Sequence, residues 1–322
     1  MSIAEDTSTG LRGAPRVRRH AGNNPPVRRI GLVAARSKQE ARDLGVELTT
    51  WVERQGLEVV QEDDLAAGGA TGVDAVVVLG GDGLMMRAAN VYPDIPLLGI
   101  NFGNVGFLAL VEQRDWQRAL GSLFDGSYTV EDGATIEASL ARNGETLDQG
   151  WAINDIVVRG GARMIDLELY IDGRYVNTYP GDGMIVSTPH GSTAYCMAAG
   201  GPILTAGVYG FAIVPISCHS PIRTPLVVSE DDVIELLLAN DRDAQLVMDG
   251  RETMALGQGD VVRICRGKHL FRLVTFGTTN FYEAFRTKFN FQIRPNAVPS
   301  MPQGRDGRRT TMDDADDATA DA

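Results

Sequence analysis

Residues 80–83 read Gly-Gly-Asp-Gly, directly after the aliphatic run Val76–Leu79. A carboxylate, Asp82, thus sits on a backbone stripped of side chains by Gly80, Gly81 and Gly83. Such a loop lets main-chain N–H groups approach phosphate oxygens, and glycine there tolerates φ > 0. A helix starting near Leu84 would turn its positive N-terminus toward the same anion. A carboxylate is a poor ligand for phosphate. It is useful in that place if it takes a proton from an attacking hydroxyl or holds Mg²⁺. The same four residues equally make a tight turn with Asp82 as the helix N-cap. Neither GxGxxG nor GxxxxGK[ST] matches this loop.

Three further stretches carry polar residues where structure alone does not ask for them. NFGNVGFLAL (101–110) offers Asn101 and Gly103 in a second small-residue loop, or else a βα turn capped by Asn101. WAINDIVVRG (151–160) sets Asn154 and Asp155 within an apolar strand, where each unpaired polar group costs ~1–3 kcal/mol. Either they face a ligand or they lie at a strand edge or bulge. PGDGMIVSTPHGSTAYCMAAGGP (180–202) leads a strand into a Thr/Pro/Gly/Ser loop and then a small-residue helix around 192–200. Thr193, Tyr195 and Ala198 would line a flat pocket: hydroxyls and helix N–H groups suit phosphate or ribose, and Tyr195 presents a face to an aromatic ring. A well-capped buried helix is the alternative.

These residues need a frame. From 30 to about 125, apolar runs at 30–35, 57–60, 74–80 and 96–100 alternate with helical stretches, which argues for a parallel sheet with helices on both faces. Ser37 and Glu40 form an S-x-x-E capping box for the first helix, and Gly56 is its C′ stop. From about 128 the pattern turns β-rich, with two-residue hairpin signals at Asn143-Gly144 and Asp172-Gly173. The segments IVSTP, FAIVPI, VIELLL and GDVVRICRG supply further strands. The expected organisation is a disordered tail over 1–27, an α/β domain over 28–127 joined by a short amphipathic helix within 281–292, a β-rich domain over 128–280, and a disordered tail over 293–322.

Composition narrows the function. At 322 residues with 43% apolar content, two domains with a sizeable core are expected. No run of 18 apolar residues is present, and the Arg-rich start lacks a signal-peptide core, so a cytoplasmic protein without a membrane partner is expected. Cys196, Cys218 and Cys265 are widely spaced and form no zinc pattern with the four histidines, which leaves no metal site built of Cys and His. The whole chain carries −12; the first 29 residues are +4 and the last 30 are −2, which leaves −14 for residues 30–292. That charge repels a phosphate backbone and argues against nucleic acid as a partner.

Taken in order, GGDG at 80–83, NxGxxGFL at 101–108, Asn-Asp-IVV at 154–158, DGMIVSTPxGSTAY at 182–195, AGGP at 199–202 and FYEAFRTK near the end resemble the NAD kinase family. The resemblance implies an α/β N-terminal domain, an all-β C-terminal domain, a cleft between them, and a homodimer or homotetramer. It also implies transfer of phosphate from ATP or polyphosphate, assisted by Mg²⁺, to the adenosine ribose 2′-hydroxyl of NAD to give NADP. By position it makes Asp82 the general base, with Gly83 and Arg87 beside it, the phosphate-donor loop being Gly80, Gly81, Gly83, Asn101 and Gly103. Mg²⁺ would rest on the phosphates and on Asp82. Asn154 and Asp155 would hold the dinucleotide's ribose and adenine. Arg163, Asp182, His190, Arg251 and the run Thr193, Ala194, Tyr195, Cys196, Met197 and Ala198 would complete the NAD site. Four positions depart from the family: Leu84 for a usual Thr, Pro180 for Arg, His190 for Thr, and Arg251 for Gln. His190 would introduce a group titrating near neutral pH. A lipid kinase of the diacylglycerol type, which shares the GGDG loop, and a non-catalytic NAD(H)-binding module are the alternative readings.

Overall fold

The computed structural model describes residues 19–21, 24–69, 72–103, 106–205, 207–221, 223–276 and 285. The first half is built from β1 (Arg19–Ala21), β2 (Arg29–Ala34), α1 (Gln39–Arg54), β3 (Glu58–Gln61), a single turn α2 (Glu62–Asp64), β4 (Ala75–Gly80), α3 (Asp82–Val91), β5 (Leu97–Asn101), β6 (Val111–Glu112) and α4 (Trp116–Asp125). Strands β3, β2, β4, β5 and β6 pair in that order, all parallel. Side chains alternate across this sheet. Ile30, Leu32, Val77, Leu79, Leu98 and Ile100 pack with Leu48 and Val52 of α1 and Leu120 and Leu123 of α4. Val33, Val76, Val78 and Leu97 pack on the other face with Met85, Ala88 and Ala89 of α3. Every residue of β4 is buried, which is why that segment reads as an unbroken apolar run.

Gly56 ends α1 as expected. At φ 74° it donates to Glu53 O at 2.9 Å, and Leu57 N donates to Val52 O at 3.4 Å, the paired bonds of a Schellman motif. The capping box does not form. The helix starts one residue late for it, Lys38 occupies the N-cap without a side-chain bond, and Glu40 falls in the second helical position. The leading segment expected to lack structure contributes β1, and Val27 is buried.

The second half comprises β7 (Thr129–Arg142), β8 (Glu145–Ala152), β9 (Asp155–Gly160), β10 (Ile165–Ile171), β11 (Arg174–Gly181), β12 (Gly183–Ser187), α5 (Tyr195–Ala198), β13 (Gly210–Ile216), β14 (Leu226–Ser229), β15 (Ile234–Leu238), β16 (Ala244–Met248), β17 (Arg251–Leu256) and β18 (Val261–Thr275). Strands β14-β13-β12-β9-β16-β17 form an antiparallel sheet. It packs through Ile156, Val158, Met184, Val186, Phe211, Ile213 and Leu246 on Ile136, Leu140, Leu167, Leu169, Leu236 and Ile264 of the other sheet. Asn143-Gly144 and Asp172-Gly173 make the expected turns, with φ of 53° and 82° and of 50° and 71°. Asp249-Gly250 repeats the geometry at 48° and 74° between β16 and β17.

Strand β18 joins the halves. It pairs antiparallel with β15 and β7 and then meets β5 in parallel at Leu273↔Leu97, so one sheet runs through both regions. The described residues all belong to one compact unit within residues 1–288. The helix expected over 281–289 lies outside the described residues apart from Phe285, as do most of the leading tail and all of residues 293–322.

Candidate active site

Asp82 opens α3 at the carboxyl end of β4, where an open α/β sheet places its ligands. Gly81 is the N-cap, so Asp82 is not the cap that a simple turn would make it. Its carboxylate instead reaches across to the loop after β5. Phe107 N donates to Oδ2 at 2.9 Å, and Leu108 N and Ala109 N donate to Oδ1 at 3.0 and 3.2 Å. A side chain at Gly106 would overlap this carboxylate, so that glycine is what lets the two loops close. Phe102 N adds a bond to Gly80 O at 3.1 Å.

None of Gly80, Gly81 and Gly83 takes positive φ, contrary to the conformational role expected of them. Their service is space. A Cβ at Gly80 would strike the Leu84 side chain, whereas one at Gly81 or Gly83 would meet nothing within 4 Å. Leu84 packs back on the loop and against the α3 side of the core. Asn101 ends β5 and bonds Gly103 O through Nδ2 at 3.4 Å; among the described residues no helix starts directly after it to be capped. The Lys38 ammonium donates to the Phe102 carbonyl at this same strand end. Sequence reasoning passed over this cation because it lies in a different βα connection, 44 residues before Asp82.

Asn154 and Asp155 lie at the start of β9. Asp249, in the β16–β17 turn, holds their main chain: its carboxylate accepts from Ile153 N at 2.9 Å, Asn154 N at 2.7 Å and Asp155 N at 3.3 Å. Asp155 is 5% exposed. Burial, and then the negative charge of Asp249, push its carboxyl from 3.8 up to about 7. The side chain therefore exchanges its proton near neutrality, the condition in which a carboxyl both donates and accepts.

The loop after β12 folds against Asn154. Thr188 N donates to Asn154 O at 2.9 Å, and Thr188 Oγ1 donates to Ile153 O at 2.6 Å. Ser192 Oγ donates to Pro189 O at 2.6 Å and accepts from Leu204 N at 3.0 Å. Ser187, Thr188 and Ser192 are fully buried, and Thr193 Oγ1 donates to His190 O at 3.3 Å. The hydroxyls expected to meet phosphate or ribose thus build the loop itself. Gly191 is the keystone, because a Cβ there would overlap the Asn154 carbonyl and Cα. Gly191→Ala is expected to cost ~1–3 kcal/mol of stability, since main chain cannot yield as a side-chain tip can. A thermal melt checks it; an unchanged Tm would contradict this packing.

The expected helix around 192–200 is a 3₁₀ turn over Gly191–Thr193 followed by the single turn α5. Tyr195 is 40% exposed, and Ala194 and Ala198 are also at the surface. Met197 is half-buried. Cys196 points inward among Val157, Ile185 and Val214, where burial raises its thiol to about 11. It is packing, not lining.

His190 also differs from expectation. Its ring packs edge-on to Phe271 at 4.9 Å and into the space that a side chain at Gly133 would fill. Burial lowers it to about 4, so it stays neutral across the range in which it was expected to titrate. The basic residues disperse. Arg87 pairs with Glu62 at 2.8 Å on the outer side of α3, Arg163 is exposed in the β9–β10 turn, and Arg251 donates to Asn90 Oδ1 at 3.0 Å. Asp182 is exposed, with its main chain tied to Gly160 and Ile216. Asp249 escaped sequence reasoning, although its Asp-Gly dipeptide between apolar runs carries the same hairpin signal as Asp172-Gly173.

A model of the ATP-NAD kinase N-terminal domain matches residues 64–128, and one of the ATP-NAD kinase C-terminal domain matches residues 154–276. The NAD kinase of Thermomicrobium roseum is 55% identical over 274 residues, 85% of this chain and 95% of that protein. The NAD kinase of Syntrophotalea carbinolica is 34% identical over 285 residues, 83% of this chain and 100% of that protein. Among solved structures, an Archaeoglobus fulgidus NAD kinase in complex with ATP aligns at a TM-score of 0.63 and 27% identity, covering 81% of this chain and 97% of its own. Yeast NADH kinase complexed with NADH aligns at 0.76 over 86% of this chain and 90% of its own; at 18% identity this likeness is one of fold.

Proposed function

Because the chain belongs to the NAD kinase family, we infer that it phosphorylates NAD at the adenosine ribose 2′-hydroxyl, with ATP as the donor, to give NADP. The observation that carries the assignment of roles is Asp82, a carboxylate at the carboxyl end of the parallel sheet whose orientation three main-chain donors fix. In the transfer, the 2′-oxygen bonds to the donor's γ-phosphorus and the bond from that phosphorus to the β–γ bridging oxygen breaks. ADP departs and the hydroxyl proton passes to Asp82.

The remaining residues divide binding from positioning. Asp155 and the Asn154 amide hold the adenosine end through its hydroxyl and amine hydrogens, and Tyr195 lies flat against a ring. Gly81 and Gly83 leave the room that phosphate oxygens require, and the Lys38 ammonium, held at the Phe102 carbonyl next to Gly103, meets negative charge in the donor loop. Arg87, turned to Glu62, plays no part in this reading.

Among the described residues no group of three or more His, Cys, Asp or Glu side chains is placed to hold a metal ion. In this reading Mg²⁺ would rest on the donor's phosphates, with Asp82 as its protein contact. There it would neutralise charge on the phosphoryl oxygens. A cytoplasmic homo-oligomer completes the reading; exposed Tyr175 and Val176 on edge strand β11 and Val227 on edge strand β14 suit self-association.

The test is direct. The purified chain with NAD, ATP and Mg²⁺ should form a product that an NADP-specific dehydrogenase reduces. NAD binding without product would favour a non-catalytic module, and phosphorylation of diacylglycerol instead of NAD would favour a lipid kinase.

A further inference from the structure

Helix α3 carries Asp82 in its first turn and Asn90 in its last, about 12 Å further along the axis. At that far end Asn90 Nδ2 donates to Asp249 Oδ2 at 3.4 Å and to Met86 O at 3.3 Å, while Arg251 Nη2 donates to Asn90 Oδ1 at 3.0 Å. Asp249 is the same carboxylate that gathers the N–H groups of Ile153, Asn154 and Asp155. One short network therefore ties the helix that presents Asp82 to the strand that presents Asp155. The two side chains come from sequence positions 73 apart, on regions joined elsewhere through the β5–β18 pairing.

We propose that Asp249 and Asn90 are positioning residues for phosphoryl transfer: Asp249 fixes the Asn154–Asp155 main chain, and Asn90 docks α3 onto Asp249, so that Asp82 is held in place relative to a dinucleotide gripped at Asp155. The proposal rests on the NAD kinase reading above. Its reason is geometric. A reacting oxygen and its base must meet to within a few tenths of an ångström; the packing of Met85, Ala88 and Ala89 on the sheet is non-directional, so the polar bonds at the two ends of α3 fix its lie. Asn90 and Arg251 pin the other end. Arg251 acts here through Asn90 and not as a contact to NAD.

A second consequence separates positioning from mere support. The titratable groups beside Asp155 are Asp249 and the Cys196 thiol, and burial keeps that thiol protonated below about 11. The Asp249 charge is therefore the nearby charge that disfavours ionisation of Asp155. Removing it without removing the side chain should move the pH at which Asp155 ionises.

Two variants of the full-length protein test this. Asn90→Ala should lower kcat roughly tenfold or more, while KM for NAD changes by less than about threefold, because the loss falls on the alignment of Asp82 and not on the grip at Asp155. Asn90→Asp, which keeps an acceptor for Arg251 but faces Asp249 with like charge, should be at least as impaired. Asp249→Asn should shift the midpoint of the pH dependence of NAD affinity downward by about one unit or more. Affinity is read by calorimetry, without turnover. An unchanged kcat in Asn90→Ala, or an unmoved midpoint in a folded Asp249→Asn, overturns the proposal. A wild-type protein that binds NAD but forms no NADP overturns the NAD kinase reading instead, and the calorimetric midpoint still reports on Asp249.

Discussion

The stability gained over wild type by Asp155→Asn should be larger at pH 8 than at pH 4 by up to about 4 kcal/mol, while NAD binding weakens. The sign follows from the raised carboxyl, 3.8 to about 7. Below pH 4 Asp155 is protonated whether the chain is folded or not. Between pH 4 and 7 the unfolded chain loses that proton and the folded chain keeps it, so stability falls as pH rises through the window and levels off above it. Three units at about 1.4 kcal/mol each set the size. An amide has no proton to lose, so the variant lacks this slope. Chemical denaturation from pH 4 to 8 checks it, the expected result being a wild-type curve that descends beneath a flatter variant. The same carboxyl should give up its proton when the hydroxyl or amine hydrogens of NAD bond to it. At pH 6 NAD binding should then release close to one proton per site, visible as a dependence of the calorimetric heat on buffer ionisation enthalpy. Asp155→Asn should show none.

Asp82→Asn should lower turnover by roughly 10²–10⁴-fold, the range over which a positioned general base contributes. The variant keeps shape but not chemistry. Its amide can accept from Leu108 and Ala109, but its NH₂ would face the Phe107 N–H in place of an acceptor. A stability loss of ~1–2 kcal/mol is expected from that mismatch. It is small beside the kinetic effect, so the folded variant remains available for binding measurements.

Much of this was legible from residue order. The unbroken run of β4 announced a strand buried on both faces, and Gly56, Asn143-Gly144 and Asp172-Gly173 announced turns whose positive φ the structure shows. The family was legible because six motifs arrive in sequence, each weak alone. The details that failed share one cause: local signals do not report what lies across the fold. Ser37 and Glu40 have the spacing of a capping box, yet the helix begins one residue too late for it to close. His190 reads as a loop residue until Gly133, 57 positions earlier, leaves it a cavity. The hydroxyls of the 188–193 loop read as ligand contacts until Ile153, Leu204 and His190, the partners of Thr188, Ser192 and Thr193, are in view. Asp249 and Asn90 had no signal of their own as partners, since 159 residues separate them.

The Asp82 side chain, fixed by the loop that crosses it and proposed to take the proton of a sugar hydroxyl, is the centre of the account. Its most direct test is the rate of NADP formation by Asp82→Asn under saturating NAD and ATP with Mg²⁺, with bound NAD counted in the same sample. Full occupancy with a rate at least a hundredfold below wild type is the predicted result. Full occupancy with a rate near wild type would contradict it.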